Sequence, residues 1–333
     1  MTPHHVVVPY ASTNSSVRTR AHQWIDRLVE CGRIQRAEVV VHGPGGARSP
    51  VPDGTKVLLL RNAHGLTRGR REAGLLRNAA LGVYDLDDGL PWDDGRLPGL
   101  GRWWKRPFPR SLVAARAADA ADRMVVGNEL LADWASGHCA DVRVVPTCVE
   151  PDDYRTRTSW ELGDRPPLIG WIGSPATEPY LADIAGPLGE VHRRTGARLV
   201  VIGGDATLPP ELAAFADKVA WRPASTRSIA DWDVGIMPLR DGIYERAKCG
   251  YKLLQYAASG VPAMGSPVGV SRTLLAEMDG LAPTSHDEWI DGMLQLVQES
   301  ADRRSARAAS GLRVAALHSY ETWQPAWLSA VGW

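Results

Sequence analysis

Short β-branched runs recur along this chain at the spacing of strands that alternate with helices, and they fall into two sets. VVVPY (6–10), EVVVHG (38–43), KVLLLR (56–61), RMVVGN (123–128) and VRVVPT (142–147) make the first. LIGWIGS (168–174), RLVVIGG (198–204), KVAWRP (218–223), DVGIMPL (233–239) and VPAMGS (261–266) make the second. Runs that are apolar throughout, with helical stretches such as 17–31, 111–121, 179–195 and 251–259 between them, imply parallel sheets covered by helices on both faces. Residues 150–167 are polar, carry proline and lack an apolar period, the composition of an interdomain linker. The expectation is an α/β protein of two Rossmann-like domains, an N-terminal one over 1–150 and a C-terminal one over 168–318, joined by a linker at 151–167. In the tail, residues 319–333, Trp323 and Trp327 stand four apart on one helical face if Pro325 falls in the first turn. That helix either packs on its own domain or crosses back to the N-terminal one.

A chain of 333 residues, 44% of them hydrophobic, can bury the cores of two domains. Its 38 basic and 38 acidic residues cancel, so no global field draws it to nucleic acid or to an anionic membrane, and an anionic ligand needs a local site. Cys31, Cys139, Cys148 and Cys249 show no C-x-x-C or zinc-like spacing, which points to a reduced, cytoplasmic chain. No signal-like N-terminus and no spanning apolar window is present, so an integral membrane segment is not expected.

Ligands of open parallel α/β sheets bind beyond the carboxyl ends of the strands, and two turns there stand out. Gly170–Pro175 runs from a strand through Gly173 and Ser174 into a helix, offering backbone N–H groups and a helix dipole to a diphosphate, or else forming an ordinary turn capped by Ser174. The stretch 242–270, GIYERAKCGYKLLQYAASGVPAMGSPVGV, holds Lys248 and Lys252 four apart on one helical face, two of only five lysines in the chain.

The stretch resembles GT-B glycosyltransferases of the large retaining family 4, in a branch with the pattern E-R-x-K-C-x-x-K-L-L-Q-Y-x-A-x-G-x-P followed by S-P-V-G-V, matched here almost residue by residue from Glu245 to Gly260 and then from Ser266 to Val270. The likeness extends to I-G-W-I-G-S-P-x-T-x-x-Y-L (169–181), D-L-D-D (85–88), G-N-E-x-L (127–131) and V-P-T-x-V-x-x-x-x-Y (145–154). It implies two Rossmann-like domains facing across a cleft, with a nucleotide-diphosphate sugar, UDP- or GDP-linked, as substrate, no required cofactor and no metal. It also places Gly173 and Ser174 at the diphosphate, Arg222 and Pro223 near the base, and Lys248 and Lys252 near the phosphates or donor sugar. Cys249, Gly250, Tyr251 and Gln255 of the motif join the donor site. Where many relatives carry E-x7-E, this chain has Ala247 and Gln255, and Glu245 is the candidate replacement for the first glutamate.

Asp85-Leu-Asp87-Asp88-Gly89 follows a strand candidate, LGVY (81–84), so Asp87 and Asp88 are expected at a ligand, positioning acceptor or donor sugar rather than a metal, unless they only form a solvated turn. The turn 11–16 opens a helix with Ser15, Ser16, Arg18 and Arg20, suited to a polar acceptor or to simple N-capping. Gly43–Gly46 is too weak a glycine pattern for a dinucleotide. The aromatic and basic stretch 102–110 is a loop packed on its domain, a lid, or a peripheral membrane contact. The functional expectation is a retaining transferase acting on a small acceptor, as in antibiotic biosynthesis, with a weak nucleotide-sugar binder or a sugar epimerase of the same fold as alternatives.

Overall fold

In the computed structural model of the chain, the structure describes residues 4–9, 14–43, 51–61, 67–93, 109–203 and 208–333. Residues 11–13 of the first turn, 44–46 of the glycine pattern and 102–108 of the aromatic and basic stretch lie outside them. The chain forms two compact α/β units, and each is built from separate pieces of sequence: 1–147, 242–249 and 323–333 for the first, 148–241 and 250–322 for the second.

The first unit holds six parallel strands, β1 (His4–Val7), β2 (Val39–His42), β3 (Lys56–Leu60), β4 (Leu81–Leu86), β5 (Arg123–Val126) and β6 (Val142–Val144), in the order β2-β1-β3-β4-β5-β6. The second holds β7 (Leu168–Ile172), β8 (Arg198–Gly203), β9 (Ala216–Ala220), β10 (Val234–Met237) and β11 (Ala263–Gly265), all parallel, in the order β11-β10-β7-β8-β9. The apolar runs thus became strands, the central ones buried on both faces and the edge strand β9 largely exposed, and the strand order reverses direction between β1 and β3 in one sheet and between β7 and β10 in the other. Those reversals are where a crevice opens at the carboxyl ends of the strands.

Residues 323–333 pack on the first unit. Trp327, fully buried, stacks on Trp24 with centroids 4.9 Å apart, and Arg123 donates to the carbonyls of Ser329 and Ala330 at 2.9 and 3.1 Å. Lys56 reaches the carbonyl of Gly332 at 2.5 Å, so two cations meet the negative end of the helix Tyr320–Val331. Pro325 sits inside that helix and not in its first turn.

The segment Gly242–Cys249 also belongs to the first unit, whereas the sequence reading gave all of 168–318 to the second. The reason is close packing against glycines: a Cβ on Gly89 would come within 2.6 Å of the Tyr244 carbonyl, and one on Gly127 within 2.3 Å of the Cys249 sulfur. Asn128 fixes the segment further by donating to the Ala247 carbonyl at 2.8 Å while its own Oδ1 caps the helix Glu129–Ser136.

The stretch read as a linker is tied down by charge. Arg157 and Arg165 both bond to Asp233, a fully buried carboxylate just before β10, and Arg155 pairs with Asp231.

Candidate functional site

In the first unit the site grows from the ends of β3 and β4. β4 runs two residues further than LGVY, so Asp85 is a strand residue and fully buried. Arg20, 1% exposed, grips it with Nε to Oδ1 at 2.9 Å and Nη2 to Oδ2 at 2.7 Å, and its Nη1 goes to the carbonyls of Val145 and Pro146. Burial opposes the charge on Arg20, but the Asp85 carboxylate outweighs it and holds the guanidinium protonated. Arg20 is therefore a correction to the acceptor-binding expectation: all three of its nitrogens are committed inside the unit.

Asp88, beyond β4, lies in a net of donors. Lys248 reaches its Oδ1 at 3.2 Å, Arg61 its Oδ2 at 3.1 Å, the Tyr244 hydroxyl donates to Oδ2 at 3.2 Å, and the Gly89 amide donates to Oδ1 at 2.9 Å. Burial pushes its carboxyl up, but Lys248 and Arg61 bring it down to about 2. The Lys248 ammonium also stands 4.7 Å above the Tyr244 ring. Asp87 is buried beside it, with Oδ1 3.7 Å from Arg61. Cations therefore already surround these carboxylates, and among the described residues no group of three or more His, Cys, Asp or Glu is placed to hold a metal.

Arg61 organises the net. It follows β3 with a left-handed backbone (φ 52°), which aims the guanidinium across the β1–β3 reversal to Ser16, whose hydroxyl it meets at 2.6 Å. Ser16 is thus joined to the acidic cluster, while Ser15 is exposed and Arg18 is partly so. Neither serine caps the helix: Asn14 does, accepting from the Val17 amide at 3.3 Å. Cys249 donates to the Asp87 carbonyl at 3.3 Å, and burial, reinforced by Asp87, pushes its thiol up to about 12. It is a packing group in the first unit, which corrects the donor-binding expectation. Ala247 is fully buried in the core of that unit, and Glu245, on the short helix Ile243–Arg246, bends back over Gly242.

In the second unit the site lies at the β7–β10 reversal. Gly173 follows β7, and a Cβ there would fall 2.5 Å from the Trp171 ring and 2.7 Å from Lys252 Cε. Its bareness lets the Lys252 stem lie across the turn, with Nζ 5.3 Å from the Trp171 centroid and 3.4 Å from the Thr177 hydroxyl. Lys252 and Gly173 lie together in the second unit, whereas Lys248 is placed in the first. The Gly173 amide is spent on the Ile202 carbonyl at 2.9 Å, so it is not a donor to a phosphate. Ser174 is exposed, its carbonyl accepts from Thr177 and Glu178, and the helix after it begins as a 3-10 segment, Glu178–Ile184.

Gly250, at φ +68°, starts the helix Tyr251–Ala258. Tyr251 bonds Tyr154 hydroxyl to hydroxyl at 3.1 Å, and buried Gln255 donates its amide to the same Tyr154 oxygen at 3.1 Å, so that donor is turned to tyrosine. Arg222 and Pro223 are exposed just past β9. Sequence reasoning missed a half-buried ion pair in this unit: Glu178, 4% exposed, takes Lys218 at 3.0 Å, and its Oε1 fills the space a side chain on Gly203 would need. Arg61 and Tyr244 were missed as well, although both lie in quoted runs; an arginine closing an otherwise apolar strand run was the available signal.

No family model matches the chain, and no curated protein matches it. Solved structures do. It is similar to sucrose-phosphate synthase from Thermosynechococcus elongatus at 12% identity over 99% of this chain and 97% of that one, with a TM-score of 0.66. It is similar to an α,α-trehalose-phosphate synthase (UDP-forming) from Burkholderia vietnamiensis at 12% identity over 100% and 97%, TM-score 0.65. AviGT4, a glycosyltransferase involved in avilamycin A biosynthesis, matches at 14% over 100% and 98%, TM-score 0.52. The two parallel-sheet α/β units together have the GT-B glycosyltransferase fold.

Proposed function

We propose that the protein is a glycosyltransferase that moves a sugar from a nucleoside-diphosphate donor to a hydroxyl of a small acceptor with retention of anomeric configuration, as the resemblance to family 4 implies. The observation that carries this reading is the bare turn at Gly173 overlaid by Lys252, at the β7–β10 reversal of a GT-B chain. A lysine held on an aromatic face beside a side-chain-free turn can put its ammonium against a diphosphate entering there. Arg222, Pro223, Gly250 and Tyr251 complete the donor side of the proposal, and Asp87, Asp88, Glu245 and Lys248 the sugar or acceptor side. UDP is the first nucleotide to try, since the similar trehalose-phosphate synthase is UDP-forming. The similarity to AviGT4 favours an acceptor from specialised metabolism. The four cysteines form no disulfide, which suits a reducing compartment such as the cytoplasm.

In the reaction the bond from the anomeric carbon to the diphosphate oxygen breaks as the acceptor oxygen forms its bond on the same face. The acceptor's proton passes to the departing phosphate oxygen, so no protein base is required. Lys252 would stabilise the charge that develops on the leaving group.

The test is thermal unfolding with UDP, GDP, TDP or ADP, followed by assay of nucleoside diphosphate release from the matching sugar nucleotides. One nucleotide at about 100 times its Kd should stabilise the fold by about 2.7 kcal/mol. That shift should vanish in Lys252→Ala. If no nucleotide raises the melting temperature, or the shift survives intact in the variant, the reading fails.

A further inference from the structure

Asp233 stands immediately before β10 and accepts the amide of Leu168, the first residue of β7, at 2.8 Å. It therefore lies at the amino ends of these strands, at the opposite end of the sheet from Gly173. Three guanidinium groups converge on it. Arg157 bonds Oδ1 at 2.8 Å, Arg165 bonds Oδ2 at 2.7 Å and Oδ1 at 3.0 Å, and Arg304 approaches Oδ1 to 3.5 Å.

The charges do not balance. One carboxylate faces three cations, a surplus of two positive charges, while neighbouring Asp231 is taken by Arg155. Burial, assisted by repulsion from Arg157 and Arg165, makes Arg304 easier to deprotonate than an ordinary arginine. Each Asp233 oxygen already accepts two closer donors, so Arg304 arrives last. Its side chain is 1% exposed, its Nη1 is the atom that faces Asp233 at 3.5 Å, and its Nε has no hydrogen-bond partner. The residue also sits in the first turn of the helix Ala301–Leu317, where the backbone dipole opposes a cation. A buried arginine with an orphan Nε donor, in a cluster of surplus charge and at the positive end of a helix, is costly unless an anion joins it.

We infer that this cluster is a binding site for a small inorganic monoanion, chloride in ordinary salt, held against Arg304. Nη1 faces Asp233, so Nε is the donor left open, and a spherical anion can take a single N–H where a carboxylate or phosphate favours a planar pair of donors. Water would satisfy that donor and leave the charge surplus untouched. Arg165, 40% exposed, is the solvent-facing member of the cluster.

Melting temperature measured in sodium chloride and in sodium gluconate at equal ionic strength tests this. The wild-type protein should gain stability saturably with chloride and not with gluconate. Arg304→Met should abolish the chloride response, and Arg165→Gln, which keeps the core intact, should raise the half-saturating chloride by about tenfold through loss of one nearby charge. In bromide-soaked crystals an anomalous peak should appear beside Arg304. Coincident curves in the two salts overturn the site, as does a chloride response that both variants retain; if Arg304→Met fails to fold, Arg165→Gln alone decides. Neither residue touches Gly173 or Lys252, so nucleotide binding and the anion response can fail independently.

Discussion

The acidic cluster of the first unit and the lysine turn of the second handle charge in opposite ways. Asp85, Asp87 and Asp88 are matched by Arg20, Arg61 and Lys248, three against three, and the groups hold one another in place. Lys252 instead lies over an indole face and reaches the Thr177 hydroxyl. A network of matched charges holds its members in fixed positions, while an ammonium over a ring takes part of its support from the π face.

The harshest way to break this contrast is Asp85→Ala, which strands the Arg20 charge in the core. We expect a loss of about 3–5 kcal/mol in urea unfolding, with much of it regained in the double variant carrying Arg20→Met. Asp88→Asn should cost less, about 2 kcal/mol, because Arg61 keeps Ser16 and the amide still accepts a hydrogen bond. Its pH signature is sharper than its size. The Asp88 carboxyl is depressed from 3.8 to about 2 on folding, so its contribution is present above 3.8 and is lost as pH falls through about 2. The stability difference between wild type and Asp88→Asn should therefore shrink across that acid window, and a difference flat in pH would refute the network. Smallest of all, Lys252→Ala should move unfolding by less than about 1 kcal/mol while removing the nucleotide response.

The fold was legible because its strands are written as unbroken apolar runs; LIGWIGS and RLVVIGG could hardly become anything but buried parallel strands. Lys252 and Gly173 could be paired through the family resemblance. Lys248 could not be placed: four residues from Lys252 on paper, it sits where Gly250 has restarted the helix in a left-handed conformation and Gly127 has admitted Cys249. Such complementarity joins residues more than a hundred positions apart, and neither periodicity nor spacing encodes it. Arg20 was misread for a related reason, since a helix-start arginine looks solvent-facing until Asp85, in a strand 65 residues on, claims it.

The interleaving of the two units has a consequence for biosynthesis. As the ribosome delivers the chain, the second unit holds its complete set of pieces at residue 322, whereas the first, although it begins first, must wait for the tryptophan that stacks on Trp24. Until then Trp24 lacks the indole that stacks on it, and the apolar surface of the incomplete unit is a place for a chaperone to engage and the stage at which truncated translation products would aggregate.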